Sequence, residues 1–260
     1  MPRLSLGLGV QNIRKFGGTA APFSPASLSG LSLWLKSNAG VTLSGSNVTA
    51  WADQSGSSAY CSPYPNGIAP IFISNSLNGY PVINLSPLNG SSTRAFNILN
   101  SGFIVGETGT TAFAVMYVDD VCNEANDNGP VFGDFGGASE ATHMPYGPNC
   151  SVYDGFCSAN RKGPLTAPNN IVNFWTVYSV VSADNDWRNY INGDLMYSDN
   201  TNVYSNFPYD DDTYRIGIST ASGPYTFKGK VAEIVMYNRV LTNPQRQQVE
   251  TYLNTKYAIY

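Results

Sequence analysis

Phe227-Lys-Gly-Lys-Val-Ala-Glu-Ile-Val-Met-Tyr-Asn-Arg239 runs within two residues into Thr242-Asn-Pro-Gln-Arg-Gln-Gln-Val-Glu-Thr-Tyr-Leu-Asn-Thr-Lys-Tyr257, and this junction decides the fold. The first half is rich in β-branched and aromatic residues, which suit a pleated, half-buried surface. The second half reads as a helix. Thr242 can cap it, Gln245 three residues on can complete a capping box, and Pro244 is tolerated in the first turn. Val249, Tyr252, Leu253 and Tyr257 then fall on one face at spacings of three or four, an apolar stripe made to lie on a sheet.

Outward from this junction the chain repeats one theme. Short β-type runs such as Leu31-Ser-Leu-Trp-Leu35, Pro81-Val-Ile-Asn-Leu85, Thr111-Ala-Phe-Ala-Val-Met-Tyr-Val118 and Phe174-Trp-Thr-Val-Tyr-Ser-Val-Val181 are punctuated by Gly, Pro, Asn and Asp. That spacing predicts a sandwich or jelly roll. The strongest local signal is Trp187-Arg-Asn-Tyr-Ile191, Asn192-Gly193, Asp194-Leu-Met-Tyr197. Asn-Gly accepts the positive φ angles of a two-residue hairpin turn. Further strands are expected from Tyr214 to Ile218 and from Phe227 to Tyr237. No internal repeat is visible, so residues 28–260 read as one domain. Residues 1–27 read as an arm and linker: Leu4, Leu6 and Leu8 alternate with Ser5 and Gly7, and Gly17-Gly18, Pro22 and Pro25 follow. Such leucines suit a strand added to another subunit, a flexible tail, or a first strand of the same sheet.

Composition narrows the function classes. Of 260 residues 42% are hydrophobic and only 12% charged, about half the roughly 25% usual in soluble domains. The net charge of -4 argues against nucleic acid and anionic membrane as partners, since both need clustered Lys and Arg. No apolar run approaches the roughly 18 residues that span a bilayer, and no charged region with an apolar core opens the chain, so secretion by the general route is not expected. Cys61, Cys122, Cys150 and Cys157 form no Cys-x-x-Cys pair, which disfavours a zinc site. Cys150 and Cys157 could bridge a local loop or remain free thiols.

Four segments together resemble the laminin-G-like branch of the concanavalin A-like lectin/glucanase superfamily, as found in phage and bacterial surface proteins. They are Leu31-Ser-Leu-Trp-Leu35, Val48-Thr-Ala-Trp-Ala-Asp-Gln-Ser-Gly56, Leu77-Asn-Gly-Tyr-Pro-Val-Ile83 and, most specifically, Phe227 to Arg239. The resemblance implies an all-β fold, a two-sheet antiparallel jelly-roll sandwich with one C-terminal α-helix. It also implies adhesion, sugar binding or particle architecture as the usual roles. Fold alone does not select among them. Glycosidases of the superfamily carry an acidic strand of the form Glu-x-Asp-x-x-Glu, whereas here Glu233 stands alone on its strand. His143, the one histidine, is expected on a surface loop, and no Gly-x-Ser-x-Gly, Walker or dinucleotide motif is present. A non-enzyme is therefore expected.

Lectin-type recognition stacks a sugar on an exposed aromatic ring and fixes it with Asn, Asp or backbone groups. Three clusters offer these groups: Tyr146, Asn149, Tyr153 and Asp154; Asp184, Asp186 and Trp187; and Tyr209 with the acidic run from Asp210 to Asp212. No ligand spacing indicates calcium, although hard oxygens are at hand. Trp34 and Trp51 alternate with Leu33, Leu35 and Ala50 and read as core, and Asp53 ahead of Gln-Ser-Gly reads as a side-chain turn. The first expectation is a non-catalytic structural protein in the virion of a tailed phage, a head decoration or tail-fibre component. Its partners would be other virion proteins gripped through Leu4, Leu6 and Leu8, in a homo-oligomer. The alternative is an adhesin that binds a host-surface glycan.

Overall fold

The computed structural model describes residues 22–88, 92–102, 104–119, 128–136, 142–146, 151–166, 171–208, 213–220 and 225–260. Leu4, Leu6, Leu8, Asn149, Cys150 and the run from Tyr209 to Asp212 lie outside these residues. In chain order the strands are β1 (Leu31–Lys36), β2 (Val41–Ser44), β3 (Asn47–Ala52), β4 (Tyr60–Pro63), β5 (Ile71–Leu77), β6 (Tyr80–Asn84) and β7 (Phe96–Leu99). Then come β8 (Gly109–Val118), β9 (Phe132–Gly133), β10 (His143–Tyr146), β11 (Ser151–Asp154), β12 (Lys162–Thr166) and β13 (Trp175–Ala183). The last are β14 (Asp186–Ile191), β15 (Asp194–Asp199), β16 (Arg215–Ile216), β17 (Ile218–Ser219), β18 (Tyr225–Thr226) and β19 (Gly229–Tyr237), followed by helix α1 (Asn243–Tyr257).

One antiparallel path, β15-β14-β13-β8-β19-β6-β5-β3-β4-β7-β16-β9, folds over to make both layers of the sandwich, with β1 added to β19 and β2 to β3. A small sheet β10-β11-β12 lies beside it. The main core lies between the layers, where Leu33, Leu35, Ala114, Met116, Val180, Trp187 and Ile234 meet Val48, Trp51, Phe96, Ile98 and Ile216. Period-two alternation sends the other side chains of the first layer, among them Phe113, Val115, Val177, Val235 and Tyr237, to its back. Helix α1 covers that back with Val249, Leu253 and Tyr257. This is the expected jelly roll with its closing helix.

Local chemistry explains the boundaries. Thr242 accepts from the Gln245 amide and Gln245 returns a bond to the Thr242 amide, the reciprocal cap read in the sequence. Asn192 and Gly193 take φ of 52° and 85°, and their two positive angles join β14 to β15. Asp53 accepts from the amides of Ser55, Gly56 and Ser57 at 2.9, 3.0 and 3.0 Å, making the expected turn. Trp51 is buried in the main core as expected. Trp34 instead faces the helix side, half-buried, with its ring edge-on to Tyr252. Ahead of residue 28, Phe23 packs on Tyr252 and Tyr237 donates to the Pro25 carbonyl at 2.9 Å, so packing on the body starts within the stretch read as linker. His143 opens β10 opposite Tyr153, a strand position rather than the expected loop.

Candidate ligand-binding cleft

The second sequence cluster sits where β14 begins. A turn at Asp184 and Asn185, the latter at φ 58°, reverses the chain from β13 into β14. From there the strand alternates. Asp186 and Arg188 face outward, half-buried, while Trp187 and Asn189 face inward and are buried. A cleft of about 440 Å³ opens at this end of the hairpin, lined by Asn185, Asp186, Arg188, Ser198, Asp199 and Asn200, with Trp187 beneath.

Its electrostatics are ordered. Arg188 donates from Nε to Asp186 Oδ1 at 2.6 Å and from Nη2 to Oδ2 at 2.8 Å, the bidentate fork that fixes a guanidinium plane. Its Nη1 reaches Asn243 at 2.8 Å. Partial burial works against the Arg188 charge, but the bonds and charge of Asp186 outweigh it and the guanidinium pKa is raised. Asp199 accepts from Lys162 Nζ at 2.7 Å and from the Thr201 amide at 2.7 Å. The Lys162 hydrogen bond leads in pushing the Asp199 carboxyl down to about 2. Asn185, Ser198 and Asn200 are exposed on the walls. Tyr197, next to Ser198 on β15, pairs with Asn189 and so faces the Trp187 side of the hairpin, 6.2 Å from that ring, not the cleft. Amides, a hydroxyl and an ordered ion pair together offer both donors and acceptors to a polyhydroxylated ligand.

The other sequence candidates are dispersed. Trp187 has no exposed surface and its Nε1 donates to the Phe156 carbonyl at 3.0 Å, so the ring expected to stack a sugar is core. Asp184 is exposed and clamps the following loop by accepting from the Tyr204 amide at 2.8 Å. Asp154 is buried rather than presented: it accepts from the Tyr178 hydroxyl and from the Phe156 amide, the latter at 3.0 Å. Burial pushes its carboxyl above the usual range and lifts the Tyr178 phenol further. Tyr153, adjacent on β11, points the other way and is half-buried, with the Arg161 guanidinium 4.6 Å above its ring. Tyr146 ends β10 opposite Ser151, and its side chain lies outside the described set. Cys157 is a free buried thiol, and burial pushes its pKa up. Arg188, Asn185, Ser198 and Asn200 were missed by the sequence reading. The Asn-Gly hairpin was the available signal, since it brings the two ends of β14 and β15 together.

Glu233, alone among apolar neighbours on β19, has a different occupation. It accepts from Trp34 Nε1 at 2.6 Å, Tyr252 at 3.1 Å, Lys256 Nζ at 2.5 Å and Tyr257 at 2.8 Å. The carboxylate is buried and ties the helix to the sheet. Burial first, and the charge of Glu233 second, push the Tyr252 and Tyr257 phenols up. Among the described residues no group of three His, Cys, Asp or Glu side chains could hold a metal, and no helix is long and apolar enough to cross a membrane.

Residues 146–245 match a family profile of the concanavalin A-like lectin/glucanases superfamily, the superfamily that the sequence resembles. No curated protein matches the chain. Among solved structures it is similar to a GH54 α-L-arabinofuranosidase soaked with a cyclic sulfate inhibitor, at 15% identity and a TM-score of 0.55, over 81% of this chain and 51% of that one. It is similar to domain 4 of the GH43 extracellular arabinanase AbnA from Geobacillus stearothermophilus, in complex with arabinotriose. That match has 15% identity and a TM-score of 0.53 and covers 83% of this chain and 95% of the domain. A sialidase from Trypanosoma rangeli in complex with the inhibitor DANA matches at 17% identity and a TM-score of 0.52, over 88% of this chain and 34% of that one. The chain thus spans about half the length of the arabinofuranosidase and a third of the sialidase. At such identities these likenesses are of fold.

Proposed function

We propose that the protein is a non-catalytic, lectin-like module that binds a glycan in the cleft at the start of β14. The observation that carries this reading is the ordered Asp186–Arg188 pair, flanked by exposed Asn185, Ser198 and Asn200. Sugar hydroxyls both donate and accept, so a carboxylate beside N–H groups serves them well, and an ion pair already fixed in place loses little freedom on binding. The likeness to a domain solved with arabinotriose lends support at the level of fold. Two features favour binding over hydrolysis. Glu233 is committed to four donors, and Asp154 is buried against Tyr178, which leaves neither poised as the facing carboxylate that glycoside cleavage needs. The test is a glycan array followed by titration of the best oligosaccharide. Arg188→Ala should weaken binding at least about tenfold, the loss of one charge-assisted contact. Absence of binding to every glycan, or binding indifferent to Arg188, overturns the reading.

A structural role in a phage virion is a second proposal, supported by the low charge of the chain and by Leu4, Leu6 and Leu8 as a grip on neighbouring subunits. Deletion of residues 1–27 should then abolish incorporation into particles, and unchanged incorporation would overturn it.

A further inference from the structure

The charges around the cleft at the start of β14 are arranged unevenly. Among the described residues that line it, Arg188 is the one cation. Most of its N–H groups are committed: Nε and Nη2 form the fork to Asp186, and Nη1 donates to Asn243 at 2.8 Å and to the Tyr190 hydroxyl at 3.4 Å. A carboxylate, sulfate or phosphate is gripped best by two parallel N–H groups, and Asp186 already occupies that fork. The second Nη2 hydrogen is left for a ligand, enough for a single sugar oxygen. Asn243, where α1 begins, takes its bond from Arg188 and does not line the cleft. Lys162 adds no charge to the cleft, since it is buried and its Nζ is paired with Asp199 at 2.7 Å. Asp199 lies opposite Trp187 in the hairpin and its side chain shares that residue's face.

The carboxylate is the more open partner of the pair: the Asp186 side chain is 37% exposed and that of Arg188 21%. Each Asp186 oxygen takes one bond from Arg188 and keeps a lone pair for a hydroxyl donor, so two neighbouring sugar hydroxyls can be received together. The exposed Asn185 and Asn200 amides and the Ser198 hydroxyl donate and accept without charge. An anionic sugar against this wall has a carboxylate beside it and, among the described residues, no uncommitted cation to pair with. We propose, resting on the glycan reading of the cleft, that its ligand is a neutral oligosaccharide whose vicinal hydroxyls are received by Asp186, and that uronic, sialylated and sulfated sugars are rejected.

A panel of arabinose, glucose and galactose oligomers, each printed beside its uronic-acid or sulfate-ester form, tests this on the full chain. The best ligand should be neutral, and its acidic counterpart should bind at least about tenfold more weakly. Affinity for the neutral ligand should change less than about twofold between about 0.1 and about 1 M sodium chloride, a range over which charge attraction is screened out. Asp186→Asn removes the charge and keeps the shape. It should weaken the neutral ligand at least about fivefold and narrow the neutral-to-acidic ratio, because the Arg188 fork is released, at a melting temperature within a few degrees of wild type. An acidic glycan as best ligand, with an affinity that falls steeply in salt and is lost in Arg188→Ala, overturns the proposal and leaves the glycan reading standing. So does equal affinity for the two members of a pair, or a neutral-to-acidic ratio that Asp186→Asn leaves unchanged. Binding to no glycan at all overturns the glycan reading of the cleft, and the proposal with it.

Discussion

The two faces of β14 carry opposite duties. Inward, Trp187, Asn189 and Ile191 are buried between the layers, where Trp187 finds both apolar neighbours and a carbonyl for its one polar atom. Outward, Asp186, Arg188 and Tyr190 meet the helix and the cleft: Arg188 reaches Asn243, and the Arg246 guanidinium stacks 3.7 Å from the Tyr190 ring. Asp186 and Trp187 are neighbours in sequence and belong to different parts of the molecule. In a strand, a cluster of promising residues is divided between the faces before any of it becomes a site.

The contrast can be broken in order of size. Trp187→Ala should remove about 3–5 kcal/mol of stability by opening a cavity in the main core, read as a lower denaturant midpoint with unchanged slope. A loss under about 1 kcal/mol would mean that the inward face is not core. Glu233→Ala on β19 tests whether the helix side is as demanding. It strands Lys256 and three other donors and should cost about 3 kcal/mol, and a near-neutral result would show that the carboxylate does not hold the helix.

Two carboxylates sharpen the contrast through pH. Asp199 is held low by Lys162, so its contribution is present above the unfolded value of about 3.9 and is lost as pH falls toward about 2. Asp199→Asn should flatten that acid limb in a series of pH-dependent melts. Asp154 is pushed up by burial, so the native state holds its proton longer than the unfolded chain and stability declines as pH rises above about 4. Asp154→Asn should remove that decline, and a decline that persists would relocate its cause. The smallest effect is expected at the cleft, where the outward pair is partly solvated: Asp186→Ala should change stability by less than about 1 kcal/mol.

Much of the architecture was legible because local and global preferences agree. Thr242, Pro244 and Gln245 announce the helix start, and Asn192-Gly193 announces the hairpin, each through backbone chemistry confined to a few residues. The site was less legible because depth is not a local property. Asp154 looks like a surface ligand beside Tyr153, yet the strand turns it under the sandwich toward Tyr178, 24 residues on. Glu233 looks solitary because its partners come from β1 and α1 and meet it only after the layers close. The small sheet β10-β11-β12 also escaped sequence reading, since Pro145, Gly163 and Pro164 within its strands mask the pattern.

Titration of an array-selected oligosaccharide into the wild-type chain and into Arg188→Ala tests glycan recognition most directly. Saturable binding that weakens at least about tenfold in the variant, at a melting temperature within a few degrees of wild type, is the result expected. Equal affinity in the two proteins would place the sugar elsewhere and contradict the assignment of the cleft.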